Sequence, residues 1–473
     1  MSGTTDRGGP GLPARYPAVP VPAELPEPPA RRWRPGPGLV GTGAGMVAAE
    51  LIVWPYLATQ AGLVVLWAAA AGIAAQCLLN LEAERYTLAT GATALSGVAR
   101  LGRGWGALLA GSAYAGNLWP GWAVSTASVL TYLFGGGDRR WLAAGVLVTA
   151  GVVLTFAPVV YVLVERLVLA KLAAAGLFTV VVAVLAVRGH SWPGVHETPP
   201  GQVGWTVLLG AIAYAGTGAG QNLVQSDWTR DKGFGMGLRM PRLVSPITGA
   251  RRVTGSGTVP AGDLVLADDP VNFARWRLWW RSATTEQVLG FGGIALVSVV
   301  LGTVLARVTL TGNPAVENAA GFLKIEGLTL QTVAGGWLGY LFWAVVAFAL
   351  FVAATGIVDY TSRLGAGLLT SRCGRSTAGE PVAYTGSVWA LVAAGLVIIA
   401  LGLDQPRVLL SISAGIAAAT RCVTALLLWR LNSRSLPEAI RPGRIRGAAL
   451  IAAGLAYGAI AVLVVHRQFV STF

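Results

Sequence analysis

The stretch Gly41-Thr42-Gly43-Ala44-Gly45-Met46-Val47-Ala48-Ala49-Glu50 places three glycines at every second position inside the first long apolar segment of the chain. The stretch Tyr214-Ala215-Gly216-Thr217-Gly218-Ala219-Gly220-Gln221-Asn222 repeats this pattern in the sixth apolar segment. Each glycine costs a continuous helix about 1 kcal/mol relative to alanine. Matching breaks five segments apart are typical of carriers built from two inverted repeats, whose unwound backbone forms a substrate site. We therefore predict that both helices are broken; the alternative is close helix packing through small residues.

The composition is that of a membrane protein. Of the 473 residues, 54% are hydrophobic and 12% are charged, and the mean hydropathy is +0.62. Soluble globular proteins carry about 25% charged residues, so this chain lacks the polar surface that water demands. The 63 glycines and 17 tryptophans fit a helical bundle in a bilayer, where small residues pack helices and indoles lie at the interfaces. The three cysteines are too few for a disulfide framework.

Eleven apolar runs reach the length of about 20 residues that a spanning helix needs. They lie at 38–59, 62–82, 104–134, 141–158, 160–187, 203–228, 286–310, 331–360, 385–403, 408–430 and 447–466. A Pro-rich tail at 1–36 precedes them, and we expect it to be disordered and cytosolic. The transmembrane domain, 37–470, is then divided into repeat one (38–187), repeat two (203–430) and an extra helix (447–466).

Basic residues in the loops predict the orientation, because cytosolic loops are enriched in lysine and arginine. With the N-terminus inside, 26 of the 35 basic residues are cytosolic and seven are external. The sequence thus predicts a multi-pass protein of the inner (plasma) membrane with an external C-terminus and a large cytosolic loop at 229–285. The net charge of +14 is explained by an anionic lipid surface, and no base-reading motif suggests a nucleic-acid partner.

The 229–285 loop ends in the basic-aromatic segment Arg275-Trp276-Arg277-Leu278-Trp279-Trp280-Arg281. We interpret this segment as an interfacial anchor whose indoles lie at the depth of the lipid headgroups. Regulation or partner binding is the alternative.

Ionisable side chains inside the membrane are functional candidates, because they are costly to bury. Glu50 is the only acidic residue near the middle of either interrupted helix, and it could coordinate a cation, carry a proton or pair with a basic side chain. Arg421, in the tenth run, needs a buried partner, for which Glu50 and Asp359 are the candidates. The predicted coupling or gating residues are Glu50, Glu165, Arg166, Asp227, Arg230, Asp359 and Arg421.

Enzymatic functions have little support in the sequence. It contains no phosphate-binding loop, no Cys/His metal spacing and no Gly-x-Ser-x-Gly nucleophile motif. We predict no catalytic residues and no cofactor. The partners that the sequence suggests are a small-molecule or ion substrate and the lipid bilayer.

Several stretches resemble the Nramp family of proton-coupled divalent metal transporters, in particular a divergent bacterial branch. They are Gly36-Pro37-Gly38-Leu39, Gly62-Leu63-Val64-Val65-Leu66-Trp67, Asn80-Leu81-Glu82-Ala83-Glu84-Arg85-Tyr86-Thr87-Leu88-Ala89-Thr90-Gly91 and Gln221-Asn222-Leu223-Val224-Gln225-Ser226-Asp227-Trp228-Thr229-Arg230-Asp231-Lys232-Gly233. The resemblance covers most of the spanning region. It implies an all-α integral membrane protein with the LeuT-type (APC) inverted five-plus-five repeat and eleven transmembrane helices.

The family's metal-site motifs are changed in this chain. An Asp-Pro-Gly-Asn motif in the first break corresponds here to Val47, Ala48, Ala49 and Glu50. A Met-Pro-His-Asn motif in the second corresponds to Ala219, Gly220, Gln221 and Asn222. The soft Met ligand, which selects Mn and Fe over harder cations, and the titrating His are therefore absent, and one carboxylate stands in place of an Asp and Met pair.

The sequence thus predicts a secondary active transporter of a small cation, divalent metal by family default, coupled to protons. Two alternatives remain open: a carrier of a non-metal solute such as an amino acid, amine or organic cation, and a transport-dead receptor or scaffold. The predicted substrate-binding residues are Gly45, Met46, Val47, Glu50, Gly218, Ala219, Gln221 and Asn222, and a bound metal would contact Glu50 and Asn222.

Overall fold

The structure is a computed structural model that describes residues 21–28, 35–45, 49–102, 104–187, 205–249, 264–310, 321–372, 379–402 and 406–470. Its first half contains α1 (Pro37–Gly45), α2 (Trp54–Ala61), α3 (Leu66–Thr90), α4 (Ala94–Leu101), α5 (Trp105–Asn117), α6 (Gly121–Leu133), α7 (Arg139–Phe156) and α8 (Val160–Val187). Its second half contains α9 (Trp205–Tyr214), α10 (Gln221–Lys232), α11 (Pro270–Glu286), α12 (Ile294–Leu310), α13 (Phe322–Ala334), α14 (Gly336–Arg372), α15 (Glu380–Ala400), α16 (Pro406–Ser435) and α17 (Arg444–Val470).

The helices follow the order of the predicted spans. Eight stretches of the described residues are long and apolar enough to cross a membrane, and one of them joins α2 to α3. The remaining three predicted spans are interrupted, as α1 and α2, α5 and α6, and α9 and α10. An all-α membrane fold with a broken sixth span is therefore confirmed, whereas residues 46–48 of the first span lie outside the described residues.

The sixth span is broken by its glycines, as predicted. Residues 215–220 separate α9 from α10 without helical structure, and both Gly216 and Gly220 have a φ of +79°. A side chain is strained in this left-handed region, so glycine permits the break.

The glycines of the first span allow close packing of α1 and do not interrupt it. Gly41, Gly43 and Gly45 lie inside α1 and are buried, so they do not unwind the helix. A side chain at Gly43 would collide with Val168, and one at Gly41 would approach Gln225. Close packing, the alternative interpretation, is therefore correct for these three glycines. The chain resumes after residues 46–48 as a π-helical turn, Ala49–Val53.

The seventh span begins far earlier than predicted. The helix extends without interruption from Pro270 through α11, a π-helical turn at Gln287–Gly293 and α12. The basic-aromatic segment is part of it, but the anchor interpretation is wrong, because Trp276 and Trp279 are buried within the protein. The Trp280 ring lies 4.0 Å from the guanidinium carbon of Arg85 and 4.8 Å from that of Arg446.

Part of the predicted disordered tail is folded. Strand β1 (Val21–Ala23) pairs in parallel with β2 (Leu264–Leu266), and Leu25 is fully buried. The Leu25 amide donates to Asn272 on α11 at 2.7 Å. Residues 21–28 are therefore attached to β2 and α11. The rest of the expected tail, apart from residues 35 and 36, lies outside the described residues.

The centre of the bundle is α14. In an 18-residue apolar stretch of α14, 72% is buried in the protein, whereas only 17% of the corresponding stretch of α8 is buried. The exposed leucines and valines of α8 are suited to lipid contact. Helix α14 packs against α1, α6, α8, α10 and α15. It therefore presents side chains such as Asp359 and Tyr360 to the region between the two interrupted spans.

Candidate functional site

Glu50 joins the two breaks. It lies in the π-helical turn after α1, is 1% exposed, and accepts a hydrogen bond through Oε1 from the backbone amide of Gly216 at 2.6 Å. The breaks also touch through backbone, because a Cβ added to Gly45 would collide with the carbonyl oxygen of Gly216. Two stretches far apart in the sequence thus meet as predicted.

Gln221 also connects α1 to the break in the sixth span. Its Oε1 accepts from the amide of Gly218 at 2.9 Å, and its Nε2 donates to the carbonyl of Gly41 at 2.6 Å. A glutamine can do both because its amide carries a donor and an acceptor. The residue that stands at the position of the family's histidine therefore fastens α1 to the start of α10.

Lys171 supplies a positive charge at the end of α1. It extends from α8, is 4% exposed, and donates from Nζ to the carbonyl of Gly43 at 3.0 Å. Its electrostatic partner is Glu50. A buried ammonium thus occupies a position beside the break where a bound cation could otherwise contact the backbone.

Arg421 supplies a second positive charge, at the other break. Its Nη2 donates to the carbonyl of Thr217 at 2.7 Å, to the Thr217 hydroxyl at 3.1 Å and to the carbonyl of Gly218 at 3.0 Å. The pairing with Asp359 suggested by the sequence is not formed, because Asp359 pairs with Arg363 at 2.9 Å. The carbonyls of the unwound segment accept from Arg421 Nη2 instead, an arrangement that the sequence does not reveal.

Ala219 and Gly218 are held from α5 and α14. The Nδ2 of Asn117 donates to the carbonyl of Ala219 at 3.0 Å, and the Tyr360 hydroxyl donates to Asn117 Oδ1 at 3.2 Å. A side chain at Gly218 would collide with that hydroxyl. The break in the sixth span is therefore tightly enclosed by polar side chains.

Asn222 faces α3. Its Nδ2 donates to Gln76 Oε1 at 2.9 Å and to Asn80 Oδ1 at 2.8 Å. Within the described residues, no group of three or more His, Cys, Asp or Glu side chains could hold a metal ion. The predicted substrate-binding residues Met46 and Val47 lie outside the described residues.

Two of the predicted gating residues, Arg230 and Asp359, belong to an ion-pair network. Arg230 contacts Glu380 at 2.8 Å and Asp231 at 3.1 Å, and Arg363 contacts Asp231 at 2.7 Å. Asp227 is buried beside Arg230. This network joins α10, α14 and α15.

On α8, Glu165 accepts from Lys232 at 2.6 Å and extends the connection from α10. Arg166, its neighbour in the sequence, is exposed and does not join the network of described contacts. A gating role for Arg166 therefore has no structural support.

Sequence reasoning missed a row of polar side chains on α3. Gln76, Asn80 and Glu84 are buried and lie four residues apart, which puts them on one face of the helix. That face meets α10 and the π-helical turn after α11. The i, i+4, i+8 spacing was the available signal, but polar residues near a loop are equally typical of a solvated helix end.

No family model matches the sequence, and no curated protein is similar enough in sequence to count as a relative. Solved structures are similar in three dimensions. A manganese transporter of Eremococcus coleocola superimposes with a TM-score of 0.65 at 13% identity, over 95% of this chain and 90% of that one. The chain has the LeuT-type transporter fold. The resemblance to the Nramp family is thus confirmed at the level of the fold.

Two other transporters of this fold are similar to the chain. Mhp1, a nucleobase-cation-symport-1 family transporter solved with bromovinylhydantoin, has a TM-score of 0.57 at 14% identity, with 93% of this chain and 94% of that chain covered. MhsT, solved with L-phenylalanine, has a TM-score of 0.55 at 14% identity, with 93% and 98% covered.

Proposed function

We propose that the chain is a secondary active transporter whose substrate site lies between the end of α1 and the break joining α9 to α10. The observation that carries this proposal is the hydrogen bond from the Gly216 amide to Glu50, which brings the two interrupted spans together at the centre of the bundle. Irregular backbone inside a membrane is tolerated where it is buried in protein or lines a cavity. Rearrangement of these contacts would open the site to one side at a time.

The charges at the site favour a non-metal solute over a divalent metal. Among the described side chains that contact the break residues, Lys171 and Arg421 are cationic and Glu50 is anionic. The carbonyls of Gly43, Thr217 and Gly218, which could have been cation ligands, already accept from these two cations. Among the described residues, a divalent ion would meet electrostatic repulsion from the two cations and carbonyl oxygens that already accept hydrogen bonds.

We propose a small solute that carries an anionic group, such as the carboxylate of an amino acid. Arg421 would attract that group, because a guanidinium binds carboxylates through several parallel donors. Helix α10 begins at Gln221 beside the break, and the partial positive charge of a helix N-terminus favours anions. A small divalent cation stays the rival because the manganese transporter has the same fold.

We propose that transport is driven by an ion gradient, with the N-terminus and the 229–285 region on the cytosolic side of the inner membrane. The excess of basic residues in the predicted inner loops supports this orientation. The resemblance to the Nramp family favours protons as the driving ion. The ion-pair network of Arg230, Asp231 and Arg363 would then close the cytosolic side.

The test is an uptake panel in proteoliposomes that contain the purified full-length chain. Labelled amino acids, amines, organic acids and Mn²⁺ would be offered with and without pH and Na⁺ gradients. We expect saturable uptake of a carboxylate-bearing solute and no uptake of Mn²⁺. Gradient-driven Mn²⁺ uptake would refute the proposed substrate class, and saturable binding without any flux would refute transport in favour of a receptor.

A further inference from the structure

A second polar site lies apart from the breaks, where α3, α10 and the π-helical turn meet. Glu84, Gln225 and Gln287 are each 0% exposed. Both amides donate to the same carboxylate oxygen, since Gln225 Nε2 and Gln287 Nε2 each lie 2.8 Å from Glu84 Oε1. We call these three side chains the carboxylate–amide cluster.

The other end of each group has no partner. Glu84 Oε2, Gln225 Oε1 and Gln287 Oε1 are buried oxygens with no hydrogen-bond donor. The two amides cannot simply be reversed, because each nitrogen is held toward the carboxylate. Buried polar atoms in folded proteins are nearly always paired, so three unpaired acceptors in one cluster indicate a missing positively charged or donating group.

The charged groups around the cluster also favour a positively charged or donating group beside Glu84. The nearby ionisable group that opposes ionisation of Glu84 is a second buried carboxylate, Glu286. Both Glu286 oxygens are already used, because they accept from the amides of Gly38 and Leu39 at 2.8 and 2.9 Å and so cap the start of α1. Lys232, which attracts Glu286, is bonded to Glu165. Of these two carboxyl groups, Glu84 is therefore the one with an open oxygen.

We propose that the carboxylate–amide cluster is a binding site for one monovalent hard cation of the Na⁺ type. Its ligands would be Glu84 Oε2, Gln225 Oε1 and Gln287 Oε1. The buried Thr229 hydroxyl, which donates to the carbonyl of Gln225 at 2.7 Å, lies within hydrogen-bonding range of Glu84 and presents a further oxygen. Oxygen-only ligands select hard cations. A single open carboxylate among neutral oxygens favours one positive charge over two.

Occupancy of this site would act on the proposed transport cycle, although it goes beyond it. The Gln225 oxygen packs against Gly41 of α1, where a Cβ would lie only 2.8 Å away, and Gln287 packs against Gly38. A cation there would fix α1 to α3, α10 and the α11–α12 helix. Its loss would free α1, whose Gly41 and Gly43 carbonyls accept from Gln221 and Lys171.

The test uses binding and not flux, so it is independent of the transported solute. The purified full-length chain in detergent would be heated in NaCl or choline chloride at constant ionic strength and pH, and binding of radioactive sodium would be measured at equilibrium. We expect saturable binding and a rise of the melting temperature with Na⁺. We expect Glu84→Gln to weaken the Na⁺ affinity by more than about tenfold.

Gln287→Leu, which removes one ligand oxygen but keeps the volume, should weaken Na⁺ binding as well, and it serves if Glu84→Gln does not fold. Glu326→Gln is the matched control, because Glu326 is a buried carboxylate on α13, away from the cluster, and it should bind Na⁺ as the natural chain does. No Na⁺ binding by the natural chain, equal binding by Glu84→Gln, or a response to pH alone would overturn the proposal; the last result would assign a proton to Glu84.

Discussion

The carboxylate of Glu50 accepts a 2.6 Å hydrogen bond from the backbone amide of Gly216, 166 positions later in the chain. This contact is possible because Gly216 adopts a left-handed φ of +79° and leaves its amide outside any helix. A buried carboxylate is stabilised by hydrogen bonds and by opposite charge, and here Lys171 supplies the charge. Glu50, Gly216 and Lys171 therefore connect α8 to both interrupted spans.

Glu50→Gln should leave the protein folded and inserted while abolishing ion-coupled transport. A glutamine oxygen can still accept from Gly216, so the local structure is kept, but the negative charge that faces Lys171 is lost. We expect coupled uptake in proteoliposomes to fall at least about tenfold, which corresponds to about 1.4 kcal/mol. Elution as a single peak on size exclusion would check folding.

Glu326→Gln is the control for this change, because it neutralises another buried carboxylate, on α13. It should transport normally. An Glu50→Gln variant with unchanged uptake and unchanged pH dependence would mean that Glu50 is only a structural hydrogen-bond acceptor.

Arg421→Met should destabilise the protein. The methionine keeps most of the volume but leaves the carbonyls of Thr217 and Gly218 without the donor that Arg421 provides. Each unsatisfied buried acceptor costs about 1–3 kcal/mol, so the melting temperature should fall by several degrees. Arg421→Lys, which keeps a charge and a donor, should lose less; equal melting temperatures for both variants would contradict this role for the guanidinium.

The sequence predicted which segments form the site but not which atoms meet there. Repeating glycines located the sixth-span break, and the rarity of intramembrane acids singled out Glu50. The contacts of Arg421 could not be predicted, because they include two backbone carbonyls that are open to a side-chain donor only where the helix is unwound. The polar row of Gln76, Asn80 and Glu84 was equally hidden, since its meaning depends on the helices that cover it.

Gly220→Ala should be strongly destabilising. Gly220 has a φ of +79°, and an added Cβ would lie 2.7 Å from the Ala113 methyl group. Backbone strain of about 1–2 kcal/mol and overpacking of about 1–3 kcal/mol should both reduce stability. Thermal unfolding in detergent would measure the effect.

Gly210→Ala is the matched control on the preceding helix. Gly210 lies within α9, and an added Cβ meets no atom within 4 Å. Alanine is favoured over glycine in a helix by about 1 kcal/mol, so this variant should be as stable as the natural chain or more so. Equal destabilisation by both substitutions would show that the break conformation is not the cause.

Span boundaries were predicted less well than span order, and α11 shows why. Its residues are too polar to be recognised as part of a membrane helix, yet Trp276 and Trp279 are buried against the protein. The partner of Trp279 is the carbonyl of Pro26, which its indole contacts at 2.8 Å. Leu25 belongs to a tail whose composition predicts disorder, yet its carbonyl accepts from Arg275 of α11, 250 residues later. This contact could not be predicted from the sequence.

Asp231→Asn should lower stability at neutral pH and flatten its dependence on acid. Asp231 accepts from Arg230 at 3.1 Å and from Arg363 at 2.7 Å. Burial raises the pKa of Asp231, but the two guanidinium groups lower it further, so its pKa is below the usual value. A lowered pKa stabilises the fold above the unfolded value of about 3.9, and this stabilisation is lost as the pH falls through the folded-state pKa.

The expected loss in Asp231→Asn is about 3–5 kcal/mol, the usual cost of breaking a buried ion pair. Melting temperatures of both chains between neutral and acidic pH would measure it. The natural chain should lose stability in acid and approach the variant. Parallel curves would mean that other acids account for the acid sensitivity.

The orientation can be tested with two cysteines at open glycine positions. Gly443, between α16 and α17, and Gly336, at the start of α14, are exposed, and a Cβ at either would meet no atom within 4 Å. With the N-terminus inside, Gly443 belongs to an arginine-rich cytosolic loop and Gly336 to the external side. In a chain whose native cysteines are replaced by serine, an impermeant maleimide added to intact cells should label Gly336→Cys and not Gly443→Cys.

Both positions should react after the cells are opened, which controls for reactivity. Labelling of Gly443→Cys alone in intact cells would invert the topology, and the network of Arg230, Asp231 and Arg363 would then close the external side instead.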